Sequence, residues 1–291
     1  MREKGRRQSV SRSSNWGSRV FLLILLLSVG CSPVATPEST GKIKVTVSIL
    51  PQQYFVERIG DQYVDVNVMV LPGSSPATYE PKPEQLKALN LADAYVSIGV
   101  PFENAWLERI ASANPDMLMV DTTQGIERVG DDPHIWLSPK LVKVQAQTIY
   151  DALAQLDPTH KAAYKANLNG FLVDIDALDT EIRTTLAGVK SRKYMVFHPS
   201  WGYFARDYDL EMISIEIGGQ EPSAAELADL IGEAREEGIK IIFAQPEFST
   251  RDAETIAREI GGEVLLISPL ALDWLDNLRK AAGVFAKALG Q

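Results

Sequence analysis

Between Thr159 and about Val189 the chain has no proline and only one glycine, Gly170, before Gly188. Apolar residues fall at Phe171, Leu172, Ile175, Leu178, Ile182 and Leu186, the three- and four-residue spacing of one helix face. An uninterrupted helix of about thirty residues would run about 45 Å, longer than the helix of an ordinary α/β unit. Placed in mid-chain with patterned sequence on both sides, such a rod predicts two lobes joined by a rigid strut.

Both flanks alternate β-branched apolar runs with helical patterns, the signature of parallel α/β architecture. The first flank offers strands at 45–50, 64–70, 94–98 and 117–120, with helical segments at 83–91 and 102–113. The second offers strands at 194–197, 212–215, 239–244 and 264–267. Ser138 can cap a helix that Pro139 starts, and Ser223 with Glu226 fits a capping box for a helix closed by Gly238. Ser249 or Thr250 is the expected cap of a helix ending near Gly261. The fold class expected is α/β: an N-terminal lobe over 43–158, a linking helix over 159–190 and a C-terminal lobe over 191–291, each lobe a four-stranded, mostly parallel sheet with helices.

Six basic residues precede the apolar run 20–29, and Gly30-Cys31 follow it. A basic n-region, a short apolar h-region and small residues predict a signal peptide over 1–30; the run is too short for a membrane-spanning helix of roughly 20 residues. Cys31 is the only cysteine, so no intramolecular disulfide can form. Residues 31–42, rich in Pro, Ser and Thr, read as a tether. Residues 1–30 carry a net +5, so the remainder of a chain of net charge −9 holds −9 minus +5, or −14. An acidic surface of that size argues against nucleic acid as a partner and suits either a cationic ligand or simple solubility.

Only three histidines are present. His134 lies in the turn Asp131-Asp132-Pro133-His134, just before the helix that Pro139 starts, and His198 directly follows an apolar strand. Ligands of open α/β sheets bind beyond the carboxyl ends of strands. His198, Gln245, Glu247 and Ser268 all sit at such ends, so His134 and His198 are expected to face each other across a cleft. His160, near the start of the strut, is expected to be an exposed helix residue.

The chain resembles the zinc and manganese solute-binding proteins of bacterial ABC importers, a family that includes receptors once called adhesins. The resemblance spans the mature chain. It rests on Val47-Ser48-Ile49-Leu50-Pro51, the Pro72-Gly73 turn with Tyr79-Glu80-Pro81, Asp132-Pro133-His134-Ile135-Trp136, Phe197-His198-Pro199-Ser200-Trp201-Gly202, Gly219-Gln220-Glu221-Pro222-Ser223 and Asp273-Trp274-Leu275-Asp276. Leu27-Ser28-Val29-Gly30-Cys31 is similar to a lipobox, with Ser28 where Leu is usual, and implies lipidation at Cys31; ordinary signal-peptidase cleavage is the alternative.

The resemblance implies a lipid-anchored, periplasmic or cell-surface receptor. It would be monomeric and non-enzymatic, deliver zinc, or else manganese, to an ABC permease, and move little at its hinge. The family's metal ligands would fall on Ala77, His134, His198 and Ser268, and two of these four positions, Ala77 and Ser268, carry no usual ligand. The shell could be completed by carboxylates, with Glu247, Asp132, Glu80, Glu216 and Glu221 as candidates and Gln245 as cleft lining. It could instead be completed by water, or the cleft could have turned to a metal chelate or small organic solute. Two histidines and scattered acids could also serve metal-assisted hydrolysis, but no nucleophile motif, phosphate loop or His-Glu-x-x-His is present.

Overall fold

The computed structural model describes residues 41–216, 220–247 and 250–290. The expected signal peptide, Cys31 and most of the tether lie outside these residues, as does Ser249. The first sheet holds β1 (Ile43–Val47), β2 (Val64–Val68), β3 (Ala94–Ser97) and β4 (Leu118–Asp121) in the order β2-β1-β3-β4. The second holds β5 (Lys193–Val196), β6 (Glu211–Ser214), β7 (Ile241–Ala244) and β8 (Glu263–Leu266) in the order β6-β5-β7-β8. Every pairing is parallel, as strands linked by crossover helices require. Central strands such as β3 and β7 are buried at every residue, which is why they read as unbroken apolar runs.

The helices are α1 (Leu50–Gly60), α2 (Pro83–Leu89), α3 (Pro101–Ala113), α4 (Pro139–Leu156), α5 (Lys161–Leu186), α6 (Gly202–Asp207), α7 (Ala224–Glu236), α8 (Arg251–Ile260) and α9 (Trp274–Leu289). Ser138 Oγ accepts from Leu141 N at 3.2 Å and so caps α4. Ser223 and Glu226 form the reciprocal box of α7. Thr250 occupies the cap position of α8, but its hydroxyl donates to Glu254 rather than accepting a backbone N–H.

The long helix α5 has 26 residues, about 39 Å at the standard rise. It is no bare strut. Phe171, Ile175, Leu178, Ile182 and Leu186 are buried, and α5 packs on α1, α4 and α9. One hydrophobic core therefore runs from Phe55 and Val96 through Phe171 and Trp274 to Trp201, Phe243 and Phe285, joining both sheets. A smaller core of Met195, Ile242, Leu230 and Ile256 lies between the second sheet and the helices α7 and α8. A core continuous through the strut opposes hinge opening, because separating the lobes would expose apolar surface on both.

His160 departs from the expectation of an exposed helix residue. It closes a short 3₁₀ turn ahead of α5, its ring stacks on Tyr63 with centroids 3.9 Å apart, and Nδ1 lies 2.5 Å from Asp157 Oδ2. Pro158 and the Asp157 cap favour this turn, so α5 proper begins two residues after Thr159. No helix among the described residues is long and apolar enough to cross a membrane.

Candidate metal centre

In both sheets the strand order reverses beside the first strand, between β1 and β3 and between β5 and β7. Chains leave such a switch point in opposite directions, which opens a crevice at the carboxyl ends. In the first sheet, Glu103 accepts from Ile98 N at 3.1 Å and Gly99 N at 2.7 Å. Burial pushes this carboxyl up despite those bonds. The loop it holds, with Gly99 at φ +77°, sets Val100 and Pro101 into the crevice wall.

His198 follows β5 at the second switch point, and Gln245 follows β7 beside it. The Gln245 amide accepts from His198 N at 3.2 Å and donates to His198 O at 2.8 Å and Ser200 Oγ at 3.0 Å. Gln245 is fully buried and spends its polar atoms on the His198 backbone and the Ser200 hydroxyl, so it locks the His198 loop rather than lining the cleft. Glu216, just past β6, sets Oε2 2.5 Å from His198 Nδ1.

His134 is held in the same manner. Asp132 Oδ1 accepts from His134 N at 2.9 Å and lies 2.6 Å from His134 Nδ1. Tyr203 OH donates to Asp132 O at 3.2 Å and accepts from Val129 N at 2.9 Å. Trp136 Nε1 donates to Pro269 O at 2.7 Å, and Trp136 O accepts from Trp274 Nε1 at 2.6 Å. These bonds tie the His134 turn to elements of the second half of the chain. A Cβ on Gly202 would come within 2.9 Å of Asp132 Oδ2, so this glycine gives the carboxylate its room. The positioning roles of Tyr203, Gly202 and Trp274 had no local sequence signal, since each acts on a residue seventy or more positions away.

The two rings meet with centroids 5.3 Å apart at 75°. A carboxylate on each Nδ1 keeps the proton there and leaves the lone pair on Nε2, the arrangement of a metal-binding imidazole with its outer partner. Burial holds the His134 ring below its ordinary value of 6.5, against the opposing pull of Asp132. Both rings line a cavity of about 100 Å³ with Ala77, Trp136, Pro269 and Leu270.

The remaining sequence candidates are dispersed. Glu80 and Glu221 are exposed. Asp132 and Glu216 sit behind the imidazoles. Ser268 Oγ donates to Glu247 Oε1 at 2.6 Å, and both line an adjoining cavity of about 310 Å³ that shares Leu270 with the first. Glu247 Oε2 is buried without a hydrogen-bond partner. Among the described residues no group of three His, Cys, Asp or Glu side chains could hold a metal ion.

The sequence model of one family, described as ZnuA, zinc-uptake complex component A periplasmic, matches residues 45–288. The chain belongs to the ZnuA family. A putative metal-binding protein of Chlamydia trachomatis is 28% identical, covering 92% of this chain and 98% of its own. The high-affinity zinc uptake system protein ZnuA of Bacillus subtilis is 27% identical over 87% of this chain and 88% of its own. A crystal structure of a ZnuA is 50% identical and superposes with a TM-score of 0.83, over 85% of this chain and 99% of that one. A deletion mutant of ZnuA with zinc bound gives 49% identity and the same TM-score, over 86% of this chain and 99% of that one.

Proposed function

We propose that the chain is the extracytoplasmic receptor of an ABC zinc importer, capturing the ion between His134 Nε2 and His198 Nε2 and delivering it to a permease. The observation that carries this reading is the facing pair of imidazoles, each backed by a carboxylate at Nδ1. Nitrogen donors favour zinc over manganese, which stands at the weak end of the divalent series and prefers oxygen. The signal-like N-terminus and Cys31 support export and a lipid anchor; the net charge of the remainder supports a cationic cargo over nucleic acid. Membership of a family of solute-binding receptors supports a binding protein over an enzyme.

Zinc titrated into chelator-stripped protein should bind one ion per chain, with affinity that falls on acidification because each ligating ring must lose its proton. His134 has a lowered pKa, so its neutral form persists below 6.5 and the loss from this ring begins only beneath that value. Beneath the lowered pKa of a ring the affinity should fall by about tenfold per pH unit for each ring protonated. The metal-free fold has the same sign: the unfolded chain takes up the proton first, so stability also declines as pH drops below 6.5. Calorimetry across the range from about pH 7.5 to 5 checks this, and affinity constant over that range would contradict ligation by imidazole.

The outer carboxylates give a second prediction. Asp132→Asn and Glu216→Gln keep an acceptor near Nδ1 but remove the charge that raises the basicity of the ring. Each should weaken zinc binding by about 10- to 100-fold with little loss of stability, measured by competition against a chromophoric chelator.

A further inference from the structure

Zinc completes its shell with four donors in nearly every protein site. Here the described residues offer two facing imidazoles, with Asp132 and Glu216 taken up at Nδ1, and no third His, Cys, Asp or Glu placed to share a metal ion with them. The chain outside the described residues adds only Glu3, Cys31 and Glu38 of those types, all N-terminal to residue 41. Glu247 Oε2, buried without a hydrogen-bond partner, belongs to the adjoining cavity, with its partner oxygen held by Ser268.

The space next to the rings is itself informative. Its volume of about 100 Å³ is several times what a single water needs. Its walls are poor in hydrogen-bond partners, being built from Pro76, Ala77, Val100, Pro101 and Leu270, with the Ser75 hydroxyl already accepting from Ala77 N. Water bound to zinc is a strengthened donor and would find few acceptors there, whereas a flat ring with one lone-pair nitrogen would fill the space, bury its carbon edge and turn its single N–H to solvent past the exposed Ala77. Charge points the same way. Asp132 and Glu216, set against the two Nδ1 atoms, already match the two positive charges of zinc, so a neutral donor suits the site better than an anion. Ala77 is exposed on its outer side, which leaves an entry.

We propose, resting on the zinc reading above, that the pocket takes zinc together with one small neutral nitrogen donor of the imidazole class, free in solution, whose ring occupies the space beside Ala77. Ala77 is then the residue that sets this preference.

The test titrates zinc into the chelator-stripped full chain in a non-coordinating buffer, with and without imidazole, beside Ala77→His and Glu247→Gln. Imidazole should tighten zinc binding to the unmodified chain about tenfold or more, after allowance for zinc's own imidazole complexes. It should change nothing for Ala77→His, which carries the ring on the chain. Cobalt(II) in place of zinc gives a second readout. The intense visible absorption of tetrahedral cobalt should appear in the unmodified chain only with imidazole, and in Ala77→His without it.

Tight zinc binding that imidazole does not alter would overturn the proposal while leaving zinc capture intact. Loss of that binding in Glu247→Gln would likewise overturn it and assign the third donor to Glu247. A folded chain that binds no zinc with or without imidazole would overturn both this proposal and the zinc reading.

Discussion

Zinc is expected to bind the His134→Ala variant at least about a hundredfold more weakly than the unmodified chain, and His198→Ala equally so. With only two imidazoles converging, removing one takes away half of the donors the chain itself supplies and leaves its carboxylate partner facing empty space. The losses should not add: once one ring is gone the remaining donor cannot hold the ion against water, so the double variant should bind scarcely more weakly than either single one. His160→Ala provides the contrast. Its ring is stacked on Tyr63 and bonded to Asp157, so zinc affinity should be unchanged even if stability falls. Calorimetric titration of the four variants separates these outcomes, and near-native affinity in either cleft variant would contradict the assignment.

The largest effect on stability is expected from Trp274→Ala. Trp274 is buried at the start of α9, its ring edge-on to Phe55 of α1 at 5.2 Å and to Phe171 of α5 at 6.3 Å. Its indole N–H also holds Trp136 O, two residues from His134. Truncation opens a cavity where both lobes and the strut meet, at a cost of about 3–5 kcal/mol. For a body of this size that lowers Tm by on the order of 10 °C. Trp274→Phe keeps most of the packing but strands a buried carbonyl, so about 1–3 kcal/mol should be lost, together with some definition of the His134 turn. Thermal unfolding followed by circular dichroism measures both variants. An unchanged Tm for Trp274→Ala would mean that the continuous core is not what couples the lobes.

The strands could be read from the sequence because parallel strands buried on both faces leave unbroken β-branched runs, and the caps because Ser138, Ser223 and Glu226 act within three residues. Boundaries slipped where tertiary contacts intervened. Ile239 reads as strand, yet its N–H closes α7 on Ala234 O, and β7 starts only at Ile241. The long helix stops at Leu186 because the chain then turns, with Lys190 N and Ser191 N both donating to Leu289 O at the far end of α9.

The same division holds in the cleft. His134 announces itself through Asp132 and Pro133, which shape its turn locally. The pairing of His198 with Glu216 depends on β5 and β6 lying side by side, with Glu216 N bonded to Phe197 O. Eighteen positions of sequence conceal that neighbourhood. Glu247 and Ser268 likewise meet only because β7 and β8 are adjacent.

With only three histidines in the chain, nitrogen-15 NMR of the imidazole rings tests the central claim most directly. Zinc added to the chelator-stripped protein should shift Nε2 of His134 and His198, leave Nδ1 of both rings protonated against Asp132 and Glu216, and leave His160 unmoved. Zinc on Nδ1, a response confined to His160, or no response from the cleft pair would contradict the account.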